Sequence, residues 1–431
     1  MMPAYPQQSR LAFAPLKTIR HQQEMLLAQH LQQCAQAPFY ATTLSKLTRS
    51  KRQRMSLEVL QDLPLTSKAD LERDNMAFLA VDVKKVRDIV QSSGTTGLPT
   101  QMMYTARDIS RLAYNEAVCF KGCGMKRADR VLLTCTLDRC FVAGYAYCLG
   151  AQAVGAATIR SGLNLVEGHT SVIGLMHPTF IVGVPGFLRK LGRHLHERGV
   201  APKGIRGLIC IGEPLRDTWM KPTALTEELE HVWSAPAFST YSSSEIVTSF
   251  CECEAQQGGH AAPDLGIIEI LDKKGRPVKM GETGEIVVTP LGVEGMPLLR
   301  FRTGDIGYLV DEPCSCGRKT PRLGPILGRS AQMLKVKGTT LYPATVFEAL
   351  NGIPEVTEYL LRATSHLGAD TLHVDVSLAK DTPEMRQKLE SALLARLRVR
   401  VGLSIVDEAI LRKQVYLPQS RKPIRFLDLR K

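Results

Sequence analysis

No Gly-Lys dipeptide occurs in the 431 residues, so a Walker A phosphate loop, which needs Gly-Lys-Ser/Thr, is excluded. Also missing are a His-Glu-x-x-His zinc-protease box, a Gly-x-Ser-x-Gly nucleophile elbow and the kinase signature set. The chain has no zinc-finger spacing, no aromatic RNP-type signature and no basic heptads, which leaves nucleic acid without a recognisable reader. Its opening, MMPAYPQQSRLAFAPLK, lacks the apolar stretch of a secretory signal, and eleven cysteines is an odd number; both lead us to expect reduced thiols in a cytoplasmic protein. One uncharged run, Phe141 to Ile159, approaches bilayer length, but it is rich in Gly and Ala, contains Gln152 and meets Arg160 at once. We expect no membrane partner.

With 44% apolar and 23% charged residues, the composition is that of a chain able to bury a sizeable core. The 55 basic residues outnumber the 42 acidic ones, and the net +13 suits an anionic partner such as nucleic acid, lipid or a phosphate-bearing small molecule. The densest basic run, Lys46 to Arg54, has no interleaved aromatics and reads as a solvated face.

Along the chain, a helical N-terminal segment to about Asp74 includes a cap signal at Thr66-Ser67. From Val86 to Cys210, short apolar runs (VRDIV, RVLLTCT, AATIR, TFIVGVP, GLICIGEP) alternate with helical patterns, which predicts an α/β layered domain on a largely parallel sheet. After Ser239 the pattern changes to an antiparallel hairpin, Ile267 to Leu271 and Glu285 to Thr289, forming a β-rich annex. A last unit contains the strand LHVDVSLA and a helix with Met385, Leu389, Leu393 and Leu397 inward. We expect two domains: a large one at 1–327, its annex at about 250–320, and a small α+β one at 328–431.

The chemistry-bearing segments are short. Ser92-Ser93-Gly94-Thr95-Thr96-Gly97 follows a predicted strand and precedes a predicted helix; its small residues let successive N–H groups converge on phosphate oxygens. Thr240-Tyr241-Ser242-Ser243-Ser244-Glu245 sets an aromatic and a carboxylate beside hydroxyls, a combination that could hold Mg2+ on nucleotide phosphates. Arg300-Phe301-Arg302-Thr303-Gly304-Asp305 adds an acid able to clamp ribose hydroxyls. Cys251-Glu-Cys253, His260 and Cys314-Ser-Cys316 offer soft ligands enough for a closed four-coordinate zinc site, with Cys251 and Cys253 as interchangeable candidates.

The ordered set SSGTTG, Gly212-Glu213-Pro214, YSSSE, FRTGD, Gly328-Arg329-Ser330, Lys335-Val-Lys337-Gly338 and a terminal Lys422 resembles the adenylate-forming superfamily, and within it the phenylacetate-CoA ligase family. APFY at Ala37 to Tyr40 and LPLTSKADL at Leu63 to Leu71 are similar to that family's N-terminal helices. The resemblance implies an adenylate-forming fold, α/β, with a small mobile C-terminal domain. It implies that Ser92 to Gly97 wrap ATP phosphates, Gly212, Glu213 and Pro214 line the adenine pocket, and Tyr241 lies against adenine beside Ser244. Glu245 would bind Mg2+, Asp305 the ribose, and Arg329 the nucleotide, while Lys422 would be the lysine that inserts during adenylation. A carboxylic acid would attack the α-phosphate, giving an acyl-adenylate and pyrophosphate. The small domain would then rotate near Ala331 and present Lys337-Gly338 so that a thiol can reach the adenylate.

Phe141, Gly144, Tyr145 and Pro185 could line an aromatic acid pocket. The family's zinc positions match Cys253, His260, Cys314 and Cys316. Three positions depart from the family: Leu98 for a loop lysine, Ala331 for a hinge acid, and Arg421 for a glycine. The expected cofactors are ATP, Mg2+, CoA and a structural Zn2+. The acceptor is CoA or an acyl carrier protein, and a homodimer is compatible with the sequence. The rival reading is an inactive nucleotide or acyl binder.

Overall fold

The computed structural model describes residues 5–45, 56–92, 100–200, 203–336, 339–366, 369–417 and 423–430. The chain divides into two units: unit 1 comprises 1–216, 228–303 and 307–325, and unit 2 comprises 217–227, 304–306 and 326–431.

Unit 1 opens with helices α1 (Leu16–Cys34), α2 (Pro38–Ser45) and α3 (Lys68–Arg73). Ser67 caps α3 in a reciprocal box with Asp70, satisfying two N-terminal donors. The segment before it is held by Arg300, whose guanidinium donates to the carbonyls of Gln61 and Leu63 (2.9 Å each) and pairs with Glu269.

Strands β1 (Val86–Gln91) and β2 (Gln101–Thr105) form an antiparallel hairpin. This corrects the expectation that VRDIV belongs to the parallel sheet and that a helix follows its loop directly. The chain returns as a neighbouring strand, and β1 exposes Arg87 and Ile89 between half-buried Val86 and Asp88 and buried Val90, as a strand with one solvated face does. Helix α4 (Ala106–Gly122) comes next, capped by a second box, Thr105 with Asp108.

The central sheet is built from β3 (Arg130–Leu133), β4 (Ala157–Arg160), β5 (Phe180–Gly183), β6 (Gly207–Ile211), β7 (Ala237–Tyr241) and β8 (Phe250–Cys251). Its order is β4-β3-β5-β6-β7-β8, parallel except for β8. Between the strands run α5 (Val142–Val154), α6 (Val166–Met176), α7 (Pro185–Glu197) and α8 (Ala224–Trp233). Successive side chains of a strand point to opposite faces, and this sheet buries both. Val131, Leu133, Phe180, Val182 and Ile209 meet Phe120, Tyr147 and Ala151 on one side; Leu132, Ile181 and Leu208 meet Leu188, Leu191, Leu195 and Trp233 on the other. The run Phe141 to Ile159 becomes α5, a left-handed Gly155 (φ 93°) and the start of β4. Among the described residues no helix is long and apolar enough to cross a membrane.

The β-rich annex contains β9 (Gly266–Leu271), antiparallel to β10 (Gly284–Pro290), then β11 (Phe301–Gly307), of which 304–306 count with unit 2, β12 (Leu309–Val310) and β13 (Arg322–Leu323). In unit 2, β14 (Gly328–Arg329) pairs with Asp305 and Ile306 of β11. Strands β15 (Leu334–Val336) and β16 (Thr339–Leu341) pair antiparallel, and helix α9 (Pro343–Asn351) follows. A four-stranded sheet, order β19-β18-β17-β20, is formed by β17 (Val356–His366), β18 (Ala369–Leu378), β19 (Gly402–Ile405) and β20 (Phe426–Asp428), with α10 (Pro383–Leu397) and α11 (Glu408–Val415). On β17, Tyr359, Leu361 and Ala363 face a core with Leu389, Leu393 and Leu397 of α10, while Leu360 meets Leu411 and Val415 of α11.

Candidate active site

The phosphate-loop candidate is closed at its base. Ser92 and Thr100 exchange a backbone bond, Ser92 N–H to Thr100 C=O at 2.9 Å, and their hydroxyls bond at 2.7 Å. Both residues are buried. Ser93, Gly94, Thr95, Thr96, Gly97 and Leu98 lie outside the described residues.

Tyr241 ends β7, its ring 6.1 Å from that of Phe250 on the paired strand. The chain then turns through Ser244 and Glu245, both buried. Tyr104 on β2 donates its hydroxyl hydrogen to Ser244 C=O at 2.8 Å, so the β1–β2 hairpin also holds this turn. The Glu245 carboxylate, buried at this turn, offers hard oxygen donors of the kind Mg2+ takes.

The turn is strained two residues later. Val247 adopts φ 49°, a left-handed conformation that a β-branched residue disfavours. What holds it is Arg111, fully buried on α4, which donates to Val247 C=O and Leu265 C=O, to Leu291 C=O at 2.8 Å and to Thr248 Oγ1 at 3.0 Å. Sequence reasoning missed Arg111 because an arginine beside the helix face of Ile109 and Leu112 reads as solvated. Helix α4 is in fact buried on nearly every side, including at Arg111, Asn115 and Glu116. The Thr105-x-x-Asp108 box was the readable signal: Asp108 also accepts the N–H groups of Glu294 and Gly295 at 2.7 and 2.9 Å.

Gly212 leaves β6 at φ 79°, and Glu213 turns back so that Oε2 accepts the Gly186 N–H at 2.8 Å. A carboxylate there faces the positive N-terminal end of α7, begun by buried Pro185. Pro214 is exposed. Of the acid-pocket candidates, Phe141 and Tyr145 are half-buried on α5 and its cap. Gly144 is bare because a Cβ would come within 2.1 Å of Thr136 C=O, so it serves close packing of α5 on the preceding loop. That loop holds Arg139 and Cys140 at φ 57° and 54°. Cys140 is exposed, whereas Cys34, Cys119, Cys123, Cys135, Cys148 and Cys210, the other cysteines outside the candidate ligands, are buried as packing residues are.

In unit 2, Asp305 and Arg329 face each other across β11 and β14 and form an ion pair at 3.2 Å. Lys337, Gly338, Arg421 and Lys422 lie outside the described residues; Ala331 is exposed in a short 3₁₀ turn, 330–332.

The sulfur and imidazole ligands converge. Ligand atoms of Cys253, His260, Cys314 and Cys316 all lie within 4.8 Å of one another. Cys253 Sγ is 3.6 Å from Cys314 Sγ, and Cys316 Sγ is 3.5 Å from His260 Nε2. A tetrahedral zinc with bonds of about 2.3 Å to sulfur sets its sulfurs about 3.8 Å apart, so the donor set fits the ion. Burial and the charges of Arg318 and Arg322 lower the His260 pKa to about 3, keeping the ring in the neutral form that a metal requires. Cys251, the alternative ligand, is turned away: its sulfur lies 3.5 Å from Cys123 Sγ and accepts from Thr240 Oγ1 at 3.1 Å. Arg318 reaches Cys316 Sγ at 3.4 Å and stacks over Phe13, tying the N-terminal segment to the cluster.

With this geometry set out, three similarities bear on its use. The sequence pattern of the AMP-binding enzyme family matches residues 23–293. A phenylacetate-coenzyme A ligase of Thermus thermophilus is 31% identical over 424 residues, 91% of this chain and 92% of that protein. A 2-hydroxyisobutyryl-CoA ligase in a postadenylation state superposes with TM-score 0.83 at 20% identity, covering 97% of this chain and 91% of that one; in a thioesterification state with CoA its TM-score is 0.70, at 21% identity and with 100% and 95% covered.

Proposed function

Because the chain belongs to the AMP-binding enzyme family, we propose the following division of labour for its residues. The protein is an AMP-forming acid–CoA ligase. A carboxylate oxygen attacks the α-phosphorus of ATP and pyrophosphate leaves; the thiol of CoA then attacks the acyl carbon and AMP leaves. The observation that carries this is the 31% identity with a phenylacetate-coenzyme A ligase along 91% of the chain.

Two anions must meet in the first step and the pentacoordinate phosphorus gathers further charge, so the residues that matter are those that compensate it. Ser92 to Gly97 would hold the ATP phosphates, over a base fixed by the Ser92–Thr100 clasp. Gly212, Glu213 and Pro214 would border adenine, with Tyr241 against its face and Ser244 beside it. Glu245 would hold Mg2+, which supplies charge neutralisation to the phosphates when bound. Asp305 would bind the ribose and Arg329 the nucleotide; Lys422 would be the cation of the adenylation step, and Lys337-Gly338 the thiol approach.

For the acid we favour an aryl or arylacetic substrate, supported by half-buried Phe141 and Tyr145 and by the relatives' substrate. Cys253, His260, Cys314 and Cys316 would hold a structural zinc: with four protein ligands no coordination position is left for substrate.

The test is pyrophosphate release from ATP and Mg2+ over a panel of aryl, arylacetic and aliphatic acids, with and without CoA. Acid-dependent release that rises with CoA is the expected result, and an arylacetic preference would support the pocket assignment. Release indifferent to CoA would move the acceptor to a carrier protein, and silence with every acid would leave a binding protein.

A further inference from the structure

The last strand of the chain holds a segment that the proposed reaction uses. Arg430, two residues past the end of β20, has a side chain 17% exposed, and every nitrogen of its guanidinium is engaged. Nη1 donates to Met333 C=O at 2.8 Å and to Asp370 Oδ2 at 3.0 Å; Nη2 reaches Ala331 C=O at 3.4 Å, and Nε and Nη2 bind the Asp428 carboxylate at 2.8 and 2.6 Å. Asp370 Oδ2 in turn accepts the backbone N–H of Lys335 at 2.7 Å. Met333 and Lys335 flank Leu334, the first residue of β15. One guanidinium and one carboxylate therefore fix the entry to the β15–β16 hairpin from both sides.

Leu334 and Val336 anchor the strand itself in the core, but the residues that lead into it are not packed there. None of residues 330–333 is buried, and Ala331 ends at its Cβ, so its own side chain can make no polar anchor. Charge-assisted bonds from Arg430 to two of its carbonyls supply what side chains of the turn do not. Lys337 and Gly338, to which thiol approach is assigned above, follow β15 and precede β16 in the sequence.

We infer that Arg430 is a positioning residue for the thioester-forming step: it touches no substrate and acts by holding the base of β15 at Met333 and Lys335. This rests on the acid–CoA ligase reading, and the experiment separates the two.

Full-length Arg430→Ala and Arg430→Lys are compared with wild type in acid-dependent pyrophosphate exchange, in acyl-CoA formation from supplied acyl-adenylate, and in hydrogen exchange of the Lys335 amide. For Arg430→Ala we expect pyrophosphate exchange to stay within about two-fold, while acyl transfer falls about ten-fold, the factor one lost charge-assisted hydrogen bond entails, with KM for CoA raised. The Lys335 amide should exchange about ten-fold faster. Arg430→Lys keeps the charge but cannot fork between Met333 and Asp370, so it should fall between the two. Equal loss in both half-reactions, no loss in either, or unchanged amide protection overturns the inference. If wild type itself forms no acyl-CoA, the ligase reading and the catalytic part of this one fall together, while the amide measurement still reports whether Arg430 clamps β15.

Discussion

Glu116 is a carboxyl group inside the core of unit 1, 3% exposed. Oε1 accepts from Ser249 Oγ at 2.5 Å and Asn115 Nδ2 at 2.9 Å, while Oε2 has no partner among the described residues. Burial raises its pKa from 4.5 to about 7, outweighing the two bonds that lower it. The native state thus binds this proton more tightly than the unfolded chain, and stability contributed below about pH 5 is lost as pH rises through 7. We expect the stability of Glu116→Gln relative to wild type to increase by roughly 2–3 kcal/mol between pH 5 and 8, read from denaturant midpoints. A flat difference would mean the carboxyl is ionised throughout. Neither Glu116 nor Arg111 was legible as a buried charge, because polarity in a helical pattern signals solvent unless a covering layer is known. Leu188, Leu191 and Leu195 were legible: their spacing states a single apolar face, and all three are fully buried.

Among elements, the hairpin of β9 and β10 was readable from two apolar runs around Asp272 to Pro277, and its register, Ile267 opposite Thr289, follows the alternation. Strand β1 was not, since a short apolar run does not say whether its neighbour is parallel or antiparallel; the return strand β2 decided it. The Cys/His cluster shows the same limit: the spacing of cysteines counted enough candidate ligands, but only the turning of Cys251 toward Cys123 leaves Cys253 as the one grouped with His260, Cys314 and Cys316. The set joins the end of β8, the bridge at His260 and the Cys314–Gly317 turn, three pieces with little regular pairing between them. Cys314→Ser with Cys316→Ser should take bound zinc from one per chain to none and lower Tm by several degrees, about the effect of 1–3 kcal/mol in a chain of this size. Metal analysis beside calorimetry checks both, and a metal-free wild type of equal Tm would remove the zinc assignment.

For the molecule as a whole, composition spoke about partners more than about fold. A net charge of +13 surrounds the chain with a field that favours polyanions, and CoA is one. If the acceptor is CoA, KM for it should rise several-fold between about 50 and 300 mM salt, as screening shortens to a few ångströms, while kcat changes little. An aryl acid, with its single charge, should show a much weaker dependence. The α/β sheet was legible because its strands are continuous apolar runs between helical patterns; the division of unit 2 into separate stretches was not, since 217–227 and 304–306 join it from distant sequence. The distribution of sulfur across the molecule has a practical reach of its own. Of eleven cysteines Cys140 alone is exposed, next to Phe141 at the head of α5. A maleimide fluorophore offered to the folded protein therefore has one preferred landing place, and its emission reports directly on the proposed acid pocket at Phe141 and Tyr145 without a single engineered residue: a change on adding acid supports that pocket, and none removes it.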